Sequence, residues 1–328
     1  RRIRAAKRRG RGPDRLRQRL NFREGAFVME FDRLHWTDHP ANPLITAQWP
    51  DWLIADPTFL LPEETPDGLW HLFANSIPRV HHYTSGDGVA WTRRGVAVNG
   101  AIRPFVRKHQ GEYFLFYEKI YSPFRSAIAL RRSPDLRKWS KERIVLKPSL
   151  EWHGRFVRTC SCPCVIPWGG EFLMYYSANV VLLPDCLFFE PLHIGVARAA
   201  EFGGPFTPDP EPCISPSPGD PHRNMGAGAI KVIPDPGRGV LYGFNNGIYR
   251  DRKGHSRSAI MVVTSRDGVN WDKDTDPVLR PEDHGWKRAL VYALDVRQVS
   301  ETQAHMYYNA RDGWLRGFER IGLAVGRA

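Results

Sequence analysis

A short motif returns along this chain, and it returns out of phase with the chain's ends. Ser85-Gly86-Asp87-Gly88-Val89-Ala90-Trp91 recurs as Ser133-Pro134-Asp135-Leu136-Arg137-Lys138-Trp139 and as Ser265-Arg266-Asp267-Gly268-Val269-Asn270-Trp271, with a degenerate copy over 199–206. Asp-Gly is a turn signal, so each copy reads as the link between two strands, with its Trp packed on the outer one. Repeats of this kind are single supersecondary units that bury their faces only against neighbours.

Three apolar, β-branched stretches of similar spacing accompany each copy. The inner strands are expected at 53–60, 102–107, 160–166, 227–233 and 291–299. The second strands follow at 69–75, 113–118, 172–177, 240–245 and 305–309, and the third at 81–85, 127–132, 193–197, 259–264 and 321–325. Four units continue to an outer strand; the fifth reaches Ala328 just after its third. The missing piece lies at the other end. Asp32-Arg33-Leu34-His35-Trp36 followed by Asn42-Pro43-Leu44-Ile45 matches Asp267 through Trp271 followed by Asp276-Pro277-Val278-Leu279. An N-terminal segment that supplies the last outer strand closes a ring and removes the exposed edges. The fold expected is an all-β five-bladed β-propeller over 28–328. A β-sandwich accounts for the number of strands but not for the circular shift.

Residues 1–27 form a separate basic extension. Ten of the chain's Lys and Arg lie in residues 1–20 against one acid, Asp14, while the whole chain is +12. Such an arm suits contact with polyanions; the nearly balanced remainder gives no reason to expect nucleic acid as a partner. No apolar run reaches the roughly 18 residues of a membrane span, and no signal-peptide core is visible, so a cytoplasmic location is expected. The five cysteines lack zinc-type spacing. Cys160, Cys162 and Cys164 alternate, which on a regular strand places them on one face as buried, reduced thiols. Long insertions at 147–156, 180–192, 209–224 and 280–287 read as loops that shape a binding site.

In a propeller the inner strands start and the second strands end at one rim of the axial channel. Polar residues at those points converge: Asp56, Arg103, Arg158, Ser161 and Asp295 from the first set, Asn75, Glu118, Asn179, Asn245, Asn246, Asn309 and Arg311 from the second. Carboxylates, amides and guanidiniums in a ring suit a polyhydroxylated ligand, and Trp52, Tyr117, Tyr292 and Trp314 offer faces for sugar stacking. Within this set Arg103, Arg158, Trp52, Asn75, Asn245, Tyr292, Asn309 and Arg311 are expected to bind substrate. Asp56 is awkward in a strand before Pro57, a position kept for a strand end or for chemistry. Glu118, on an apolar flank, is the second candidate catalytic group, and Asp295 is the third. His81, His82 and His222 read as packing or surface residues.

The five-unit pattern, the Ala55-Asp56-Pro57 start and the Ser-x-Asp-Gly-x-x-Trp turns resemble the five-bladed propeller glycoside hydrolases of family 43 (arabinanase/β-xylosidase) and family 32 (invertase/levanase). The resemblance covers about residues 28 to 328. It implies that Asp56 is the first-blade carboxylate, a general base in one family and a nucleophile in the other. Two further carboxylates of those families are absent. Arg103 precedes Pro104 where a second Asp is expected, and Thr159-Cys160-Ser161-Cys162-Pro163 holds no acid where a general-acid Glu is expected. The expectation is hydrolysis of a furanoside or related glycan by paired carboxylates, with Asp56 as base or nucleophile and Glu118 as acid. The alternative is a non-hydrolytic propeller that binds a glycan or sugar phosphate, or a phosphorylase or transferase in which the arginines hold phosphate. A third reading is a scaffold that binds protein. Some members of those families hold calcium in the channel, but no acidic cluster in this sequence points to a metal, and no cofactor is expected.

Overall fold

The computed structural model describes residues 29–328; the basic extension lies outside the described residues. Twenty strands form five four-stranded antiparallel sheets. The first strand, β1 (His35–Asp38), belongs to the last blade. Blade one is β2 (Ala55–Leu60), β3 (Trp70–Ser76), β4 (Arg79–Ser85) and β5 (Thr92–Asn99). Blade two is β6 (Ala101–His109), β7 (Glu112–Ser122), β8 (Arg125–Ser133) and β9 (Arg143–Leu146). Blade three is β10 (Cys160–Trp168), β11 (Glu171–Leu183), β12 (Phe188–Ala199) and β13 (Thr207–Pro208). Blade four is β14 (Gly226–Asp235), β15 (Val240–Arg250), β16 (Ser256–Ser265) and β17 (Pro277–Leu279). Blade five is β18 (Leu290–Gln298), β19 (Gln303–Arg311) and β20 (Glu319–Arg327), completed by β1.

The ring closes as the sequence predicts. β1 pairs with β20, with Trp36 opposite Gly326 and Ile45 bridging Ile321. Trp36 is buried and meets Phe244 of blade four edge-on at 5.6 Å. A Cβ on Gly326 would lie 2.9 Å from the Trp36 ring, so a glycine lets the indole lie flat on its partner strand.

The motif Trp does more than pack its own outer strand. Trp91 contacts Tyr307 of blade five at 5.5 Å, Trp139 contacts Phe73 of blade one at 6.0 Å, and Trp271 contacts Tyr175 of blade three at 5.6 Å. Each seals its blade against the preceding one, and edge-to-face pairs of this kind add to the burial itself. The motif Asp organises the turn. Asp87 Oδ1 accepts the Val89 and Ala90 amides, Asp135 those of Arg137 and Lys138, and Asp267 those of Val269 and Asn270. Tyr175 donates its hydroxyl to Gly268 O at 2.9 Å, which ties the turn to the neighbouring blade. Asp267→Ala is expected to cost about 1 kcal/mol, read as a lower urea midpoint at constant slope, because it releases two amides to solvent rather than to a buried space.

One expected loop is instead a strand extension. Residues 180–192 continue β11 and β12 as a hairpin, with Val180 opposite Pro191 and Leu183 opposite Phe188. Val180-Val181-Leu182-Leu183 and Phe188-Phe189 are good strand formers, and only Pro184 to Leu187 turn. This hairpin stands over the axial end where the inner strands begin. Among the described residues no helix is long and apolar enough to cross a membrane.

Candidate functional site

All five inner strands are irregular near their first residues, where register shifts interrupt pairing with the second strand. At this level Asp56 (φ 53°), Arg103 (φ 53°), Cys162 (φ 51°) and Gly228 (φ 67°) adopt the left-handed conformation, and Ala293 takes the corresponding place in blade five. Three non-glycine residues in this region cost roughly 1 kcal/mol or more each. Asp56, Arg103 and Cys162 each precede a proline. The bulge turns each side chain toward the axis.

The alternation expected of the cysteines is broken by this bulge. Cys160 and Cys164 stay in the core, while of the three only Cys162 lines the cavity, as does Cys186 from the β11–β12 turn. Burial pushes the Cys162 thiol up to about 11, with Arg103 opposing, so it is a protonated thiol at neutral pH. All five cysteines are free.

A cavity of about 360 Å³ opens at this end, near the lower limit of small-ligand pockets (roughly 300–1,000 Å³). Asp56, Asn75, Arg103, Cys162, Glu190, Asn246, Tyr292, Arg311 and Glu319 supply its polar and aromatic wall, and Trp52 stands at its mouth. Below, the axis narrows to about 20 Å³ between Asp56, Arg103 and Lys231. Lys231 donates its Nζ to Pro163 O of blade three at 2.8 Å. This narrow space is otherwise lined mostly by apolar residues, among them Pro57, Pro104, Ile230 and Leu294.

The amides expected to hold a ligand are largely committed to backbone. Asn309 Oδ1 accepts the Asp56 amide at 3.0 Å, and Asn75 Oδ1 accepts the Arg103 amide at 2.6 Å. Each thus fixes the bulge of the next blade. The Asn75 side chain also acts to lower the Asp56 carboxyl. Asn245 lies behind the wall and donates to Ala227 O and Ala229 O; Asn246 lines the cavity instead. Arg158 does not line the cavity and donates to Pro148 O. Ser161 and Asn179 bond locally, to Ser177 O and the Val180 amide. Tyr117 is buried and donates to Glu142, and Trp314 donates to Ser256 O beneath His255. His81 is buried between Ser76 and Arg93, His82 stacks on Phe73, and His222 packs edge-on against Tyr249.

Two of the three carboxylates singled out in the sequence are tied to arginines. Glu118 is buried behind the wall and accepts Arg103 Nη1 at 2.7 Å. Asp295 lies deeper, fully buried. It takes a two-pronged contact from Arg107, at 2.8 and 2.7 Å, and accepts the Thr58 hydroxyl and the Phe59 amide. Burial works to raise the Asp295 carboxyl, but Arg107, Lys231 and Thr58 outweigh it and hold it below the usual range. Asp295 joins blades five, one and two beneath the cavity.

Asp56 does face the cavity. Burial raises its carboxyl, Arg103 and Lys231 oppose this, and Glu118 adds to the rise. Two further acids were not singled out from the sequence. Glu319 pairs with Arg311 at 3.3 Å beside Tyr292, and burial leaves its carboxyl raised despite Tyr292 and Arg311. Glu190 sits on the inward face of the β11–β12 hairpin, buried against the wall, with no hydrogen bond or ion pair from a described residue. Burial lifts it to about 8. Arg103 pulls the other way, and Asp56 and Glu319 add to the rise. The only signal for Glu190 in the sequence is a lone acid in Phe188-Phe189-Glu190-Pro191-Leu192. Among the described residues no cluster of His, Cys, Asp or Glu has the arrangement of a metal site.

No family model and no curated protein sequence matches this chain. Solved structures do. A glycosyl hydrolase from Bacteroides ovatus aligns with TM-score 0.64 at 14% identity, over 88% of this chain and 92% of its own. A thermostable family-43 glycoside hydrolase aligns with TM-score 0.62 at 16% identity, over 82% and 88%. An N-acetylgalactosamine deacetylase from F. plautii, solved with blood group B trisaccharide, aligns with TM-score 0.62 at 13% identity, over 89% and 95%. At such identities the likeness is one of fold, and the fold of this chain is the five-bladed propeller found in glycoside hydrolases.

Proposed function

We propose that the chain cleaves a glycosidic bond at the end of a glycan, with Asp56 as general base or nucleophile and Glu190 as the proton donor. One observation carries this reading: a carboxyl lifted to about 8 and free of ion pairs shares the cavity with the first-blade aspartate. Glycoside cleavage needs one protonated and one ionised carboxyl. Here Glu190 keeps its proton at neutral pH. Burial raises the Asp56 carboxyl too, but Arg103 and Lys231 act on it in the opposite sense and favour its charge. Glu190 gives its proton to the departing oxygen. Asp56 takes a proton from the attacking water, or attacks the anomeric carbon itself and is released by water. Glu118 holds Arg103 in place beside Asp56. Because the space narrows from about 360 Å³ to about 20 Å³ toward Lys231, a terminal sugar fits and a chain running through does not. A furanoside or related sugar follows from the family resemblance.

The test is the pH dependence of kcat/KM on a panel of aryl furanosides. Activity requires Asp56 ionised, so it falls on the acid side; it requires Glu190 protonated, so it falls as pH rises through about 8. A profile that keeps rising beyond pH 9 would remove Glu190 from the acid's role.

A second reading is a glycan or sugar-phosphate binder without hydrolysis, or a phosphorolytic or transferase variant. It is favoured by the ring itself, where only Asp56 of the five equivalent positions is acidic and Arg103 and Cys162 fill two others. Saturable heat of binding with no product in overnight incubation supports it. Turnover that rises with added phosphate supports the phosphorolytic form.

A further inference from the structure

The large apolar side chains that remain exposed are not scattered over the molecule. Eleven of the twelve among the described residues lie in, or within two residues of, the connections at the cavity's end of the propeller; Val96 is the exception. Trp52, Ile77, Leu187, Phe189 and Leu315 ring the cavity mouth itself. Trp49 (93% exposed) and Phe156 (89% exposed) project from the connections before β2 and β10, and Phe124 and Phe318 from those before β8 and β20. Monomeric soluble proteins rarely gather exposed apolar groups in this way without a partner for them.

The same connections are basic. Counting exposed residues over the same stretches, nine Lys and Arg face four Asp and Glu. Over residues 29–328 the exposed Lys and Arg number 21 against 14 Asp and Glu, so five of an excess of seven lie on this face. Arg250, Arg252 and Lys253 form its densest part, at the β15–β16 turn.

We infer that this face docks on an anionic lipid bilayer, with the cavity mouth turned toward the head groups. Aromatic side chains beside Arg and Lys favour the boundary between head groups and acyl chains. Aliphatic tips such as Leu182, Leu187 and Leu315 have no flat face to offer a sugar but gain from entering hydrocarbon. A second copy of the chain is a poorer occupant, because a two-fold contact would set this positive face against itself. The docking is peripheral and does not depend on hydrolysis. The described chain enters at Met29, whose amide donates to Gln298 Oε1, at the far end of β18 from the cavity.

Cosedimentation of the full chain with large vesicles tests this, using phosphatidylcholine alone and phosphatidylcholine with phosphatidylglycerol at 3:1. Binding is expected to the anionic vesicles, to weaken several-fold on raising salt from 0.05 to 0.5 M, and to fall about tenfold or more in Trp49→Ser/Phe156→Ser. Both substitutions are on exposed side chains, and an unchanged melting temperature confirms an intact fold. Three results overturn the inference. One is no pelleting with either vesicle. Another is pelleting untouched by the double substitution but lost when Arg8, Arg9 and Arg11 become Gln, which assigns it to the arm. The last is a dimer in sedimentation velocity that the double substitution dissolves, which makes the face a contact between copies.

Discussion

Glu190→Gln is expected to lower kcat by about 10²–10⁴-fold on substrates with a poor leaving group, the range for loss of a positioned general acid. The loss shrinks sharply on a dinitrophenyl glycoside, whose leaving oxygen needs no proton, and the alkaline limb near pH 8 disappears. Asp56→Asn lowers the rate on both substrates alike. Glu118→Gln acts through Arg103, so it shifts KM and kcat together without removing the alkaline limb. If Glu118→Gln rather than Glu190→Gln abolishes that limb, the acid lies where the sequence alone placed it.

The same carboxyl has an opposite effect on stability. Folded Glu190 holds its proton to about pH 8, whereas an unfolded one releases it near 4.5. Between those values the unfolded chain binds fewer protons, so stability falls as pH rises. Glu190→Gln removes that loss. The variant is expected to be more stable than the parent at pH 8.5, by about 2–5 kcal/mol, and to match it near pH 4.5. Thermal melts at the two pH values read this directly. A gain in stability with a loss of rate is the pattern of a residue kept for chemistry.

Asp295→Ala is the second large effect, and it falls on folding. The substitution leaves the Arg107 guanidinium in the ring's interior without its carboxylate, and strands the Thr58 hydroxyl and the Phe59 amide. Breaking a buried pair on one side costs about 3–5 kcal/mol. Urea unfolding should show a lower midpoint with little change in slope. The fraction still folded should retain most of its kcat, because Asp295 does not line the cavity. The sign with pH is the reverse of that for Glu190. The Asp295 carboxyl is held below its usual range, so its contribution is present above pH 4 and is lost as the solution is acidified further. A loss of kcat beyond tenfold at full stability would return Asp295 to the catalytic set.

The ring was legible because its signals are local and repeated. A turn motif with Ser, Asp and Trp at fixed offsets, strands of even length and an N-terminal segment matching the missing outer strand all report on neighbouring residues. Each holds whatever occupies the cavity. Asp56 was legible for the same reason, as an acid before a proline where a strand wants neither.

The partners of Asp56 were not legible, because they depend on which way side chains turn once the chain has closed. Glu118 and Asp295 sit on channel-facing strands by spacing alone, yet Arg103 engages Glu118 from the next strand and Arg107 reaches Asp295 from blade two. Glu190 lies in a stretch whose apolar residues and Pro184 read as a loop. Only the closed propeller shows that the hairpin reaches over the axis and carries an uncompensated carboxyl into the cavity. Periodicity alone determined the toroid and the position of its first acid, since both follow from chain-local geometry. The tertiary structure decided which acids keep their protons and which are bound to arginines, since electrostatic environment is set by residues far apart in the chain and close in space.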